Sequence, residues 1–285
     1  LDAGKAIALM VGQNRPLWDF EDVGDNYLRV NVAGMAPVVA VPTTAGTGSE
    51  VGRASVITDE AAQVKRIIFH ARMLPAIVIL DAELTVGLPP RITAATGMDA
   101  LSHNLEAYCS PFFHPMAAGI ALEGMRMIKE YLPRAVADGA DLQARQQMLV
   151  ASSMGATAFQ RGLGAMHALA HPLGALYDAH HGLLNAVLMP YVLVANRERI
   201  EPQMEKMARY LNLAKPGFVG VLDWVLHLRN EVGIPHSLSE IGIDDKRIEQ
   251  VGQMAEVDPS AGTNPIAFSA AQYSQLFEKA LRGTL

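Results

Sequence analysis

The pattern of apolar and polar residues changes once along this chain, at residues 87–90. Before that point, short apolar runs at 37–42 and 76–80 are bounded by prolines or polar residues, which is typical of buried strands. Residues 51–58 and 65–69 flank a short polar turn and predict a hairpin. We therefore predict an α/β N-terminal part.

From residue 91 onwards the periodicity is almost entirely helical. The segments are separated by Ser-Pro, Asp-Gly, Pro-Gly, Ile-Pro and Asn-Pro turns. The predicted helices are 116–131, 143–161, 164–176, 205–211, 220–232, 245–254 and 269–281, and a further amphipathic helix opens the chain. This change in hydrophobic periodicity predicts two domains: a partial α/β domain at 1–88 and an all-helical domain at 89–285.

Composition excludes several classes of protein. The 285 residues are 50% hydrophobic and carry a net charge of -6, so nothing resembles a basic surface for nucleic acid or anionic membranes. No apolar stretch approaches the length of a membrane span, and the first residues do not resemble a signal peptide. The single cysteine, Cys109, cannot form an intramolecular disulfide. We therefore expect a cytoplasmic protein.

One carboxylate and several histidines stand at helical spacing in two segments. Asp99 and His103 are four residues apart, as are His167 and His171, so each pair shares one face of a helix. Each pair alone could be a surface or core hydrogen bond. Together with His181, they predict a shared site for a divalent metal, because imidazole nitrogen and carboxylate oxygen suit iron(II) or zinc.

A loop of small and hydroxyl-bearing residues follows the first predicted strand, at 43–50. Backbone amides and hydroxyls in such a loop can hold phosphate or ribose oxygens. The same composition is also typical of an ordinary turn. Lys65 lies beyond the loop and could contact the same ligand, or it could be a solvated surface lysine.

At these residues the sequence resembles the iron-containing (group III) alcohol dehydrogenases, which are related to glycerol dehydrogenase and 3-dehydroquinate synthase. The matching segments are 42–50, 88–103, 106–108, 164–182 and 264–265. The resemblance covers essentially the whole chain. It implies a dehydroquinate synthase-like fold, in which a dinucleotide-binding α/β domain precedes an all-helical domain and the active site lies between them.

The resemblance also implies roles for individual residues. Asp99, His103, His167 and His181 match the metal ligands, and the metal would be Fe(II) or zinc. His171 matches a catalytic histidine near substrate and nicotinamide, which could relay a proton. Residues that match contacts to NAD or NADP are Thr43, Thr44, Thr47 and Lys65. The implied activity is oxidation of a small alcohol, or reduction of the matching aldehyde, by a homo-oligomer that we expect to be a dimer.

The sequence departs from the family at its start. Members carry a Gly-Gly-Gly-Ser loop ahead of a segment resembling residues 1–6, preceded by about a hundred further residues. We therefore expect an N-terminally shortened member that lacks most of the nucleotide-binding sheet. The alternatives are a hydroxyacid–oxoacid transhydrogenase, a dehydroquinate synthase-like lyase, or a non-catalytic helical assembly module. The lyase needs a basic cluster that the helical part does not show.

Overall fold

The N-terminal part combines one helix with short turns and two small sheets in the computed structural model, which describes residues 1–62 and 64–285. Helix α1 (Asp2–Met10) comes first. Strand β2 (Ala54–Asp59) pairs antiparallel with β3 (Val64–Phe69), which confirms the predicted hairpin. Strand β1 (Val39–Ala40) pairs parallel with β4 (Ile77–Val78).

The prediction that residues 37–42 and 76–80 form buried strands is wrong. Each segment contributes only two residues to the β1–β4 pair, and Val39, Ile77 and Ile79 are 56%, 55% and 48% exposed. Apolar composition indicated burial, but in the described part of the chain nothing packs on this outward surface. The runs therefore resemble core strands in sequence without lying in a core.

The remainder of the chain is built from helices joined by turns. They are α2 (Pro90–Cys109), α3 (Pro115–Ala137), α4 (Leu142–Ala158), α5 (Ala165–Tyr177), α6 (His181–Tyr210), α7 (Gly217–Glu231), α8 (Ile248–Glu256) and α9 (Ala270–Arg282). A capping box between Ser269 and Gln272 begins α9. None of the described helices is both long and apolar enough to span a membrane. The predicted fold class, α/β followed by all-α, is confirmed, whereas the domain boundary at 88/89 stays a prediction.

Helix α6 is much longer than the sequence indicated. It runs for 30 residues through Pro190 and Pro202, although only 205–211 was predicted as helix. Residues 184–193 are all buried and, apart from Asn185, almost wholly apolar, so this stretch shows no amphipathic period. Tertiary packing against α2 and α7 therefore stabilises a helix that local patterns did not reveal.

Helix α2 is the centre of the helical part. Residues 93–109 are all buried, and α3, α4 and α6 pack around them. Small residues permit the close approach: a Cβ at Gly97 would lie 2.2 Å from Leu132 Cδ1, and one at Gly155 would lie 2.6 Å from Asn104 Nδ2. Any polar side chain on this helix is thus held away from water and needs a partner inside the protein.

Candidate metal centre

Three polar side chains lie along one face of α2. Asp99, His103 and Glu106 are spaced i, i+4 and i+7, and they are 2%, 4% and 5% exposed. Burial of an isolated charge at this depth would be very costly. The three residues therefore need partners from neighbouring helices, and α5 and α6 supply them.

The predicted ligands come together at this face. The candidate ligand atoms of Asp99, His103 and His167 all lie within 4.8 Å of one another. The rings of His103 and His167 stack with centroids 4.8 Å apart. His181, the first residue of α6, approaches from the other side, with its Nε2 3.8 Å from Asp99 Oδ1, and its ring stacks on His171 at 5.5 Å.

Hydrogen bonds at Nδ1 fix the orientation of two of these imidazoles. His103 Nδ1 lies 3.2 Å from the carbonyl oxygen of Gly46, and His167 Nδ1 lies 2.6 Å from Glu106 Oε2. Each ring therefore uses Nδ1–H as a donor and keeps the lone pair of Nε2. Such bonds from the second ring nitrogen are the usual support of metal-binding histidines. The donor set, one carboxylate with neutral imidazoles, fits iron(II) or zinc.

Glu106 links the start of α5 to this site. Its carboxylate accepts the backbone N–H of Gly164 at 2.9 Å and that of Met166 at 2.7 Å, besides the imidazole of His167. The backbone N–H of Ala165 donates to Asn264 Oδ1 at 3.1 Å. The first amides of α5 are thus satisfied by side chains. Burial raises the pKa of Glu106 to about 7, against the opposing effect of these hydrogen bonds.

The electrostatics of the cluster favour an ionised Asp99 beside unprotonated His167 and His181. Burial by itself would raise the pKa of Asp99, but the neighbouring histidines and a hydrogen bond from Asn185 lower it to about 2. Burial lowers the pKa of His167 and of His181 well below the ordinary value. Near neutral pH, these groups therefore offer a carboxylate and unprotonated nitrogens, which is the state that a cation requires.

His171 is adjacent to the cluster but is held by a different partner. Its Nδ1 donates to Asp258 Oδ2 at 2.8 Å, while Asp258 Oδ1 accepts the backbone N–H of Ser260 and so begins a short helical turn, Pro259–Thr263. This arrangement fixes the ring of His171 and leaves Nε2 as its free nitrogen. The pKa of Asp258, which burial would raise, is lowered because His171 donates to it.

The threonine loop lies beside the cluster. Thr43 and Thr47 are exposed, Thr44 is half-buried, and Thr47 Oγ1 accepts the backbone N–H of Ser49. The same loop supplies the Gly46 carbonyl that holds His103. On β3, Lys65 is half-buried, and its Nζ lies against α5, 3.2 Å from the position that a Cβ at Gly174 would take. Burial lowers the pKa of Lys65, against the pull of the Asp99 and Asp258 carboxylates.

Sequence reasoning did not assign roles to Glu106, Asn185 and Asp258. Spacing could have found two of them, since Glu106 continues the face of Asp99 and His103, and Asn185 lies one turn after His181. Asp258 comes from a distant turn and has no local signature. His180 caps α6, because its Nδ1 accepts the backbone N–H of Leu183.

Comparison with known proteins agrees with this geometry. A family model described as "Iron-containing alcohol dehydrogenase" matches residues 1–82, and one described as "Fe-containing alcohol dehydrogenase family, C-terminal" matches residues 93–281. The chain belongs to the iron-containing alcohol dehydrogenase family. The predicted family is thereby confirmed, as is the prediction of an enzyme. This alcohol dehydrogenase is an oxidoreductase acting on alcohol groups, and not a non-catalytic assembly module.

Individual relatives of this alcohol dehydrogenase bear different names. A 4-hydroxybutyrate dehydrogenase of Cupriavidus necator is 38% identical over 292 residues, covering 99% of this chain and 75% of the relative. A 1,3-propanediol dehydrogenase of Klebsiella pneumoniae is 36% identical, covering 98% and 73%. The crystal structure of a 1,3-propanediol oxidoreductase superposes with a TM-score of 0.92 at 34% identity, covering 98% of this chain and 74% of that one.

Proposed function

We propose that Asp99, His103, His167 and His181 bind one divalent metal, iron(II) or zinc. The observation that carries this proposal is the convergence of Asp99, His103 and His167 within 4.8 Å, with Nδ1 of both histidines already engaged in other hydrogen bonds. We further propose that the enzyme oxidises a small alcohol to the aldehyde, or catalyses the reverse, with NAD or NADP. Bound here, the ion would supply a Lewis acid that polarises the oxygen of the substrate.

His171 is the group to which we assign the proton. Oxidation of an alcohol removes a hydride, which the dinucleotide accepts, and a proton from the hydroxyl. Because Asp258 holds Nδ1 of His171 as a donor, Nε2 is left as a base. The Asp258 carboxylate also stabilises the imidazolium that forms when Nε2 takes the proton.

The cofactor contacts that we propose are Thr43, Thr44, Thr47 and Lys65. Their support is the exposed hydroxyls of the loop and its position beside the ligand His103. A structural neighbour, sulfoacetaldehyde reductase from Bifidobacterium kashiwanohense, was solved in complex with NAD+ and superposes with a TM-score of 0.88 at 27% identity, covering 98% of this chain and 73% of that one. On this proposal residues 1–88 contribute to a dinucleotide-binding domain and 89–285 form the metal-binding domain.

The substrate that we propose is a small aliphatic alcohol or its aldehyde. The named relatives act on 4-hydroxybutyrate and 1,3-propanediol, both short chains with a terminal hydroxyl. The homodimer and the cytoplasmic location stay predictions, and light scattering on the purified protein tests the first. The single cysteine, which is buried and free, supports the second.

Metal analysis combined with an activity panel tests the proposal. Protein purified without oxygen should contain a divalent ion and oxidise short primary alcohols with NAD or NADP. His103→Ala should lose both the ion and the activity. The matched control is His227→Ala, because the His227 side chain is 77% exposed and lies outside the cluster. A wild-type protein that takes up neither iron(II) nor zinc and shows no dinucleotide-linked activity would contradict the proposal.

A further inference from the structure

Asn185 lies at the point where three of the candidate ligands meet. It is fully buried on α6, one turn after His181. Its Nδ2 is 2.9 Å from Asp99 Oδ1 and 3.2 Å from Nε2 of both His167 and His181. One amide group thus contacts a carboxylate and two imidazoles at the atoms that face the proposed ion.

The donor capacity of the NH2 group is fully used by these neighbours. An NH2 group has two hydrogens, so one serves Asp99 and the other is shared by the two rings. His167 Nε2 is an acceptor because its Nδ1–H donates to Glu106. The amide therefore occupies the lone pairs that a cation would otherwise occupy.

The other end of the same amide is unpartnered. Asn185 Oδ1 is buried and has no hydrogen-bond partner in the part of the chain that the structure describes. A buried acceptor without a partner costs free energy. The unpartnered Oδ1 therefore lowers the stability of the fold, so the feature to be explained is the NH2 group, which points towards the candidate ligands.

We propose that Asn185 is a positioning residue that takes the place of the metal in the metal-free enzyme. Its NH2 group donates to the Asp99 carboxylate and to Nε2 of His167 and His181, and so holds these side chains in the arrangement that an ion requires. This inference rests on the proposed metal site. Because amide and ion use the same lone pairs, Asn185 stabilises the metal-free form more than the loaded form.

Removal of this NH2 group should therefore affect the two forms unequally. Asn185→Leu keeps a similar volume but cannot donate, so the metal-free protein loses the donor to Asp99, whereas the loaded protein has the ion there. We expect the melting temperature of the metal-free variant to fall further than that of the zinc-loaded variant. The zinc dissociation constant of the folded protein should fall about tenfold, the effect of one hydrogen bond to a charged group.

The experiment compares chelator-stripped protein with and without saturating zinc(II), using thermal unfolding and a zinc competition titration. If Asn185→Leu does not fold, Asn185→Ala serves, since it also removes the NH2 group and adds no new ligand for zinc. Asn196→Leu is the matched control: Asn196 lies on the same helix, is 4% exposed and bonds to Asn264. It should lower both melting temperatures alike.

Each outcome has a defined meaning. Equal loss in both forms would show a merely structural role and overturn the inference. A larger loss in the loaded form, or weaker zinc binding, would show that Asn185 supports the bound ion and would also overturn it. Wild-type protein that binds no zinc or iron(II) would instead contradict the proposed metal site itself.

Discussion

Replacement of Glu106 by glutamine tests how far the site depends on a side chain that would not itself bind the ion. The carboxylate accepts three buried hydrogen bonds, from Gly164, Met166 and His167. Glutamine has nearly the same shape but only one accepting oxygen. If that oxygen takes the place of Oε2, it still serves Gly164 and His167, and the new NH2 group faces the backbone N–H of Met166.

The magnitude follows from this count of unsatisfied donors. A buried donor left without an acceptor costs about 1–3 kcal/mol, so the Met166 N–H by itself should lower the free energy of unfolding of Glu106→Gln by about that amount, and the new NH2 group facing it can only add to this cost. Glu106→Ala leaves three buried donors without an acceptor and should lower the free energy of unfolding by about 3–9 kcal/mol by the same reasoning. The loss is smaller if water enters the cavity and accepts these hydrogen bonds. For a protein of this size, the glutamine variant should melt about 2–12 °C lower.

The same substitution should weaken metal binding. Loss of the partner that orients a ligating histidine typically reduces metal affinity 10–100-fold. Urea unfolding gives the stability of the metal-free protein, and zinc competition gives the affinity. Glu50→Gln is the control, because Glu50 is 2% exposed and accepts one bond, from Ser153 Oγ at 2.6 Å, which glutamine can keep. A Glu106→Gln protein with wild-type stability and wild-type zinc affinity would refute the reasoning.

Three further predictions concern other parts of the molecule. Asp258→Asn should lower kcat at least tenfold, with KM and metal content little changed, because it removes the charge that stabilises the imidazolium of His171; an unchanged kcat would contradict the assigned role. Burial raises the pKa of the Cys109 thiol to about 12, so iodoacetamide should label the native protein only as fast as the protein unfolds. For the same reason the buried thiol stabilises the fold below about pH 9, and this contribution should be lost as the pH rises towards 12. Gly48→Ala should lower the free energy of unfolding by about 2–5 kcal/mol, because Gly48 has φ +61° and an added Cβ would lie 2.2 Å from a side-chain carbon on α4. The control is Gly119→Ala, which lies in open space on α3 and should not destabilise the protein. Equal melting temperatures for the two variants would count against the packing argument.

Local sequence patterns were sufficient to predict those features in which the helical or strand spacing itself brings the side chains together. The i, i+4 pairs Asp99–His103 and His167–His171 lie on helices as predicted, and the hairpin of β2 and β3 forms at the expected residues. Side-chain spacing on a helix is a local property, so it can be predicted without knowledge of the tertiary structure.

Features that depend on distant contacts were not predictable in this way. The first half of α6 is buried all round, which removes the periodic signature of a helix, and the helix also contains Pro190 and Pro202, a residue type that usually interrupts one. Asp258 reaches His171 across 87 positions of sequence, so no spacing rule could pair them. The exposed Val39 and Ile77 show the opposite case, in which composition indicated a buried strand that the described contacts do not provide.

The hydrogen bond between the Gly46 carbonyl and His103 has a consequence for how such enzymes can be recombined. The loop after β1 and the imidazole on α2 belong to different parts of the chain. The Gly46 carbonyl in the loop nevertheless selects the tautomer of the His103 imidazole. Grafting an N-terminal part from one relative onto the helical part of another would therefore have to reproduce the backbone path at Gly46. A chimera that moves this carbonyl out of hydrogen-bonding distance would no longer fix the tautomer of His103, although every ligand residue would still be present.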